Sequence, residues 1–347
     1  MNALDLIHAV PEVEKRLSDD LSRKIYEIRM NYVVYGDIDI FRDSIMELNT
    51  KWQFNSTVDE FFSRNKPKKV VIFGIGGWGR HTLRLLKYSK YKDLEIKFCD
   101  NDKSKWYKGG GYDVISPEEA MNLKDSVIII GSTQYRDEIE KQLIENGYPV
   151  ELICNPLRIC TGWQYFDYFK PAENEVFIDV GCYDGMTAVD FTKWATKGYD
   201  YIYSFEANVH SISNCIENFK QHNLKGEVIN KGLWHKMDIL NFNAKNGQGS
   251  KITNNGDIRV ETISLDEILN GKRVTFIKMD IEGAEYNALL GAEQTIKKWH
   301  PRLAICVYHK PEDILELPAL ILKINPDYKF ALRQYRIDEG ETVLYSY

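Results

Sequence analysis

Twice in this chain of 347 residues an apolar run turns through glycines into a helical stretch and returns as a second apolar run ending in an acid, at 70–100 and at 176–206. Short β-rich runs alternating with amphipathic segments bury their apolar surface most simply as crossover units on a mostly parallel sheet. The pattern therefore sets the fold class as α/β. At this length it also calls for more than one core.

Residues 1–66 form a helical N-terminal segment on this reading: in "VEKRLSDDLSRKIYEIRM", Val13, Leu17, Leu21, Ile25 and Ile28 recur at helical spacing. "NKPKK" breaks that pattern, and strands follow at "KVVIFGIG", "LEIKFCD", "SVIIIGS" and "VELIC". Residues 67–155 thus read as a small Rossmann-like domain. Residues 156–347 read as a longer α/β domain, with strands at "VFIDVG", "DYIYSFEA", "GEVINKGL", "RVETIS", "VTFIKMD" and "RLAICVY". "YKFALRQY" and "ETVLYSY" have no helix between them and predict an antiparallel pair at the end of a parallel sheet.

The first glycine turn, "VIFGIGGWGR", has Gly74, Gly76 and Gly79 in G-x-G-x-x-G spacing, and Asp100 ends the next strand where a ribose-binding acid would lie. These four residues are either a candidate nucleotide site, for NAD(P) or a nucleotide sugar, or only the turn of a scaffold that mediates assembly. Hydride-transfer machinery is lacking, because Tyr88 and Lys92 fall too close to the glycine loop to act as a catalytic pair.

The second turn, "VFIDVGCYDG", is different: Asp179, Gly181 and Gly185 form D-x-G-x-x-x-G, and Glu206 ends the following strand. A carboxylate there can accept hydrogen bonds from both hydroxyls of a ribose. The loop carries Asp179 and Asp184 and no basic residue, which suits a nucleoside with a zwitterionic, sulfonium-bearing tail better than a diphosphate. Further on, "FIKMDIEGAEYNALLGA" puts Lys278 and Asp280 on one face of a strand that scaffold alone would make apolar, with Glu282 and Glu285 in the turn and helix start. His309 ends the next strand, at the sheet edge where ligands bind, and is a candidate general base with a pKa near ~6.5.

Taken in series, "VFIDVGCYDG", "YSFEAN", "GLW", "VETISLDEIL", "FIKMDIEGAEYNALLGA" and "YHKPEDILELPALI" resemble the FkbM family of S-adenosylmethionine-dependent methyltransferases, over about 174–335. The resemblance implies a class I methyltransferase fold, a seven-stranded sheet of order 3-2-1-4-5-7-6 with its last strand antiparallel. It implies that Asp179, Gly181, Tyr183 and Gly185 line the cofactor loop and that Glu206 holds the ribose. Ala207 stands where a proline is common, Asn208 lies beside the adenine, and Asn230, Gly232 and Leu233 flank its other side. The implied reaction is O-methylation, often of a sugar in a polysaccharide, glycolipid or natural product, with His309 or Asp280 as base and Glu282 shaping the acceptor pocket. A divalent metal stays open and no ligand set is assigned.

The formal charge of −6 gives no basic footprint for nucleic acid. Six scattered cysteines contain no C-x-x-C pair and read as reduced core thiols, and no apolar run reaches the length of a membrane span. The expected setting is cytoplasmic and the expected partner a small-molecule or glycan acceptor, with a homo-oligomer left open.

Overall fold

The structure, a computed structural model, describes residues 3–48, 53–107, 112–132, 135–156, 163–243, 251–252, 258–336 and 339–347. The chain divides into two compact units, Met1–Phe41 with Gly162–Tyr347, and Arg42–Thr161. Helices α1 (Ala3–Arg16) and α2 (Asp20–Tyr35) open the first unit; α3 (Ile38–Glu47) spans the boundary, and α4 (Gln53–Asn65) lies in the second.

The second unit continues with β1 (Lys69–Phe73), α5 (Gly77–Lys87), β2 (Glu95–Cys99), β3 (Val114–Ile115), α6 (Pro117–Asn122), β4 (Ser126–Ile130), α7 (Arg136–Glu145) and β5 (Ile153–Cys154). Its strands pair in parallel in the order β3-β2-β1-β4-β5. That is one strand more than the sequence suggested, because β3 is two residues long and carries no readable alternation. The Ser116–Glu119 capping box starts α6 directly after it. Val71, Phe73, Cys99, Ile128, Ile130 and Leu143 belong to the core of this unit.

In the first unit follow β6 (Glu175–Val180), α8 (Met186–Trp194), β7 (Tyr199–Phe205), α9 (Ile212–Gln221), β8 (Gly226–Ile229), β9 (Gly232–Leu233), β10 (Asp238–Asn243), β11 (Lys251–Ile252), β12 (Ile258–Ile263) and α10 (Leu265–Leu269). The unit ends with β13 (Phe276–Met279), α11 (Glu285–Leu290), α12 (Glu293–Trp299), β14 (Arg302–Cys306), α13 (Asp313–Ile324), β15 (Phe330–Gln334) and β16 (Thr342–Ser346). Seven strands form one sheet in the order β8-β7-β6-β13-β14-β16-β15, with β16 antiparallel to both neighbours. Renumbered within the sheet this is 3-2-1-4-5-7-6, the class I methyltransferase fold. β6 and β13 at its centre are buried along their length, as strands covered on both faces must be.

Two sequence expectations change here. "GEVINKGL" is two strands, and "RVETIS" is not in the main sheet: β9 and β12 join β10 and β11 in a separate four-stranded sheet, order β11-β10-β12-β9. Alternation reports a half-buried strand and is silent on which sheet takes it.

Within the helical segment 1–66, α2 is tied to the main sheet. The sequence pattern breaks at Asp19, whose side chain caps α2 through Ser22 N–H, and α2 buries Ser22, Ile25, Tyr26 and Arg29 on one stripe. That stripe packs on β15: Ser22 Oγ accepts the Leu332 N–H at 3.0 Å, and Arg333 reaches Asp19 at 3.0 Å. Among the described residues no helix is long and apolar enough to cross a membrane.

Ser22 is fully buried, so Ser22→Ala leaves the Leu332 amide without its acceptor. The expected loss is about 1–3 kcal/mol, read as a lower urea midpoint with an unchanged m-value.

Candidate active site

In the sheet register Lys278 stands beside Asp179 at the carboxyl ends of β13 and β6. Both side chains are shut off from water, at 2 % and 0 % exposure, and the Lys278 ammonium lies 3.2 Å from Asp179 Oδ1. It also donates to the Gly181 carbonyl at 2.7 Å and the Val180 carbonyl at 3.3 Å. Burial opposes the charge, yet Asp179 and Asp280 outweigh it and hold Lys278 well above the ordinary lysine range. The ammonium thus pins the turn after β6. Gly181 is required there on two grounds: φ is +78°, and a Cβ would stand 2.0 Å from the Asp280 carbonyl oxygen.

The pinned turn opens into a cavity whose wall includes Gly181, Tyr183, Glu206, Ala207, Asn208, Gly232 and Leu233. These are seven of the ten positions expected to bind cofactor. Glu206 is anchored from both sides, Oε2 accepting the Tyr183 N–H at 2.8 Å and Oε1 the Asn208 N–H at 2.7 Å. Burial raises its pKa, opposed by those two amides. Leu240, Val260 and Thr262 come from the small sheet and close the apolar side.

The other three expected positions lie outside the wall. Asp179 sits beneath the turn as the partner of Lys278. Gly185 starts α8 at φ +83°, where a Cβ would come within 2.9 Å of Cys215 Sγ, so packing explains it. Asn230 faces away and supports the wall by donating to the Glu206 carbonyl at 2.7 Å.

At the far end the cavity is acidic, with Asp280, Glu282, Tyr308 and Glu341 in its wall. Asp280 Oδ2 accepts the Tyr165 hydroxyl at 2.7 Å, and Oδ1 lies 3.2 Å from His309 Nε2. Burial would raise Asp280, but His309, Lys278 and Tyr165 together bring it well below the usual carboxylate range.

His309 corrects the sequence reading. Its side chain is 3 % exposed and behind Asp280 rather than on the wall, and its other nitrogen, Nδ1, lies 2.9 Å from Glu285 Oε1. Burial alone would discharge it, but the two flanking carboxylates push its pKa up to about 11. An imidazole that carries a proton on both nitrogens at neutral pH cannot take one from a substrate. Asp280, Glu285 and His309 are, among the described residues, the cluster whose potential ligand atoms lie within 4.8 Å of one another. As the side chains stand, the cluster is an ion-paired triad, and no metal is assigned to it.

The first glycine turn lines a separate cleft in the second unit, shared by Gly74, Gly76, Trp78, Asp100, Lys105 and Ser132. Gly79 is behind it for packing, since a Cβ there would fall 1.8 Å from the Gly74 carbonyl oxygen. Gly76 has nothing within 4 Å of its absent Cβ. The Asp100 carboxylate already meets Lys105 at 3.1 Å and accepts the Asp102 N–H at 2.9 Å.

Residues 179–332 match the profile of the methyltransferase FkbM domain. Over these residues the chain is similar to the FkbM methyltransferase family. Residues 66–154 match the C2185-like N-terminal family. Among solved structures, methyltransferase FkbM from Methylobacillus flagellatus is 20 % identical, covering 92 % of this chain and 99 % of its own, with a TM-score of 0.49. A SAM-dependent methyltransferase from Aquifex aeolicus is 14 % identical over 62 % of this chain and 97 % of its own, TM-score 0.31. Fibrillarin from Aeropyrum pernix, in complex with S-adenosyl-L-methionine, is 9 % identical over 52 % of this chain and 69 % of its own, TM-score 0.34. No curated protein matches.

The cavity wall also holds residues that the sequence did not single out. Tyr308 had a signal, being next to His309 at a strand end; Glu341, in the turn between β15 and β16, had none. Tyr183, Glu282 and Glu341 all hold positive φ, at 51°, 56° and 60°, a backbone state that costs non-glycine residues and collects at functional sites.

Replacing Lys278 with Met strands Asp179 in the core of the first unit. We expect a loss of about 3–5 kcal/mol in denaturant unfolding. His309→Gln has a pH signature: because the folded pKa is raised from 6.5 to about 11, the stabilisation is complete below 6.5 and fades as pH rises toward 11. The gap between wild type and variant, about 3 kcal/mol near pH 6, should therefore shrink in unfolding series run at pH 8 and 10.

Proposed function

We propose that the protein is an S-adenosylmethionine-dependent O-methyltransferase acting on a sugar hydroxyl in a polysaccharide, glycolipid or related natural product. One observation carries this reading: a single cavity joins the Gly181 turn, an anchored ribose-type carboxylate and an acidic far end. The residues fit the cofactor. Each Glu206 oxygen accepts one backbone N–H and keeps lone-pair capacity for a ribose diol. Leu233, Leu240 and Val260 offer apolar surface for a purine.

The charge on the wall points the same way. Among the described residues its one lysine, Lys231, is paired with Glu261 at 2.9 Å, while Asp280, Glu282 and Glu341 favour a sulfonium over a diphosphate. Bound there, S-adenosylmethionine supplies an electrophilic methyl group. The chain's contribution is to hold and align: Lys278 fixes the cofactor turn, Glu206 fixes the nucleoside, and the Tyr165–Asp280–His309 set holds a carboxylate at the acceptor end. A sugar hydroxyl suits that end, where Tyr308 and the carboxylates can orient a polyol.

A second reading applies to residues 66–154, a nucleotide or nucleotide-sugar site at the first glycine turn. Gly76 favours it, since neither a neighbour nor a positive φ requires glycine there and close approach by a ligand would. Calorimetric titration with S-adenosylhomocysteine and with NAD(H) separates the two. Wild type should bind S-adenosylhomocysteine, and Glu206→Ala should weaken it at least ~100-fold, the scale of two lost charge-assisted hydrogen bonds. NAD(H) binding that survives Glu206→Ala, with no S-adenosylhomocysteine binding in either protein, would reject the methyltransferase reading. The acceptor class is tested by mass spectrometry of glycans from cells with and without the protein, where a missing methyl group is expected.

A further inference from the structure

Resting on the methyl-transfer reading, there remains the question of what takes the proton. His309 is a cation behind the wall, and Asp280 already accepts from Tyr165 and is ion-paired with His309, which makes it a weak base. Glu341 is on the wall itself. Its Oε2 accepts the Gln164 amide at 2.7 Å, and its Oε1 lies 3.5 Å from the Tyr308 hydroxyl, which is 3.4 Å from Asp280. Its backbone is held at φ 60°, in the left-handed region.

We propose that Glu341 is the general base of methyl transfer, taking the proton of the acceptor hydroxyl. The hydroxyl oxygen forms the new bond to the methyl carbon, its proton goes to the Glu341 carboxylate, and the electron pair of the broken carbon–sulfur bond stays on sulfur. Burial and the Asp280 charge raise the Glu341 pKa to about 7, against Gln164, Arg336 and His309, which lower it. The Tyr308 and Tyr165 hydroxyls and the Cys306 thiol face the same carboxylate and are all held neutral by burial. A base that titrates near the working pH is matched to proton transfer.

The test uses the sulfonium as a probe of that charge. Affinities for S-adenosylmethionine and for neutral S-adenosylhomocysteine are measured by calorimetry from pH 5.5 to 8.5 in wild type, Glu341→Gln and Glu341→Asp. In wild type the ratio favouring the sulfonium should rise about tenfold through pH 7, the effect of one added carboxylate charge nearby. In Glu341→Gln the ratio should be flat, and in Glu341→Asp, which tolerates this backbone region, the rise should return with a shifted midpoint. A flat wild-type ratio, a rise that persists in Glu341→Gln, or an unshifted midpoint in Glu341→Asp would overturn the assignment while leaving the cofactor site intact. Binding of neither ligand by wild type would overturn the methyltransferase reading, and this one with it.

Discussion

A lysine and an aspartate with essentially no exposure, side by side in the two central strands of a sheet, are held in place by each other. Lys278 and Asp179 lie in β13 and β6, where hydrophobic side chains would pack at lower desolvation cost. What the pair adds is position. Because the ammonium also holds the Gly181 and Val180 carbonyls, the chain must leave β6 along one path. The close approach of Gly181 to the Asp280 backbone then brings the turns after β6 and β13 together. The cofactor end and the acidic end of the cavity are two faces of that contact.

Around this contact the charged groups divide into those that hold and those that face the cavity. The side chains of Asp179, Lys278, Glu285 and His309 are buried and lie at ion-pair distance from one another or from Asp280. Glu206, Asp280, Glu282 and Glu341 line the space. Asp280 belongs to both sets: Lys278 and His309 stabilise its charge from behind, leaving it a fixed anion. Three of the wall residues, Tyr183, Glu282 and Glu341, hold positive φ.

The main sheet was legible because its central strands, β6 and β13, are fully buried and lead into a glycine and an acid, a pattern that local chemistry imposes. The Gly181 and Glu206 loops were legible for the same reason. What was not legible depends on distance in the sequence. The role of His309 is set by Glu285 and Asp280, which were each visible, but their convergence on both ring nitrogens is a tertiary fact. The assignment of β12 to a second sheet depends on β10, whose residues show little patterning. Helix α2 reads as an ordinary amphipathic helix, and only β15, some three hundred residues on, makes it part of the catalytic unit. Glu341 lies in a hairpin turn, where an acid carries no signal at all.

Everything proposed for the site requires that the cavity between the β6 and β13 turns hold the cofactor. A crystal structure of the full chain with S-adenosylhomocysteine tests it most directly. The ribose hydroxyls should meet the Glu206 carboxylate at hydrogen-bonding distance, with the sulfur turned toward Asp280 and Glu341. Ligand found in the Gly74 cleft instead, or lying in the cavity with Glu206 uncontacted, would contradict it.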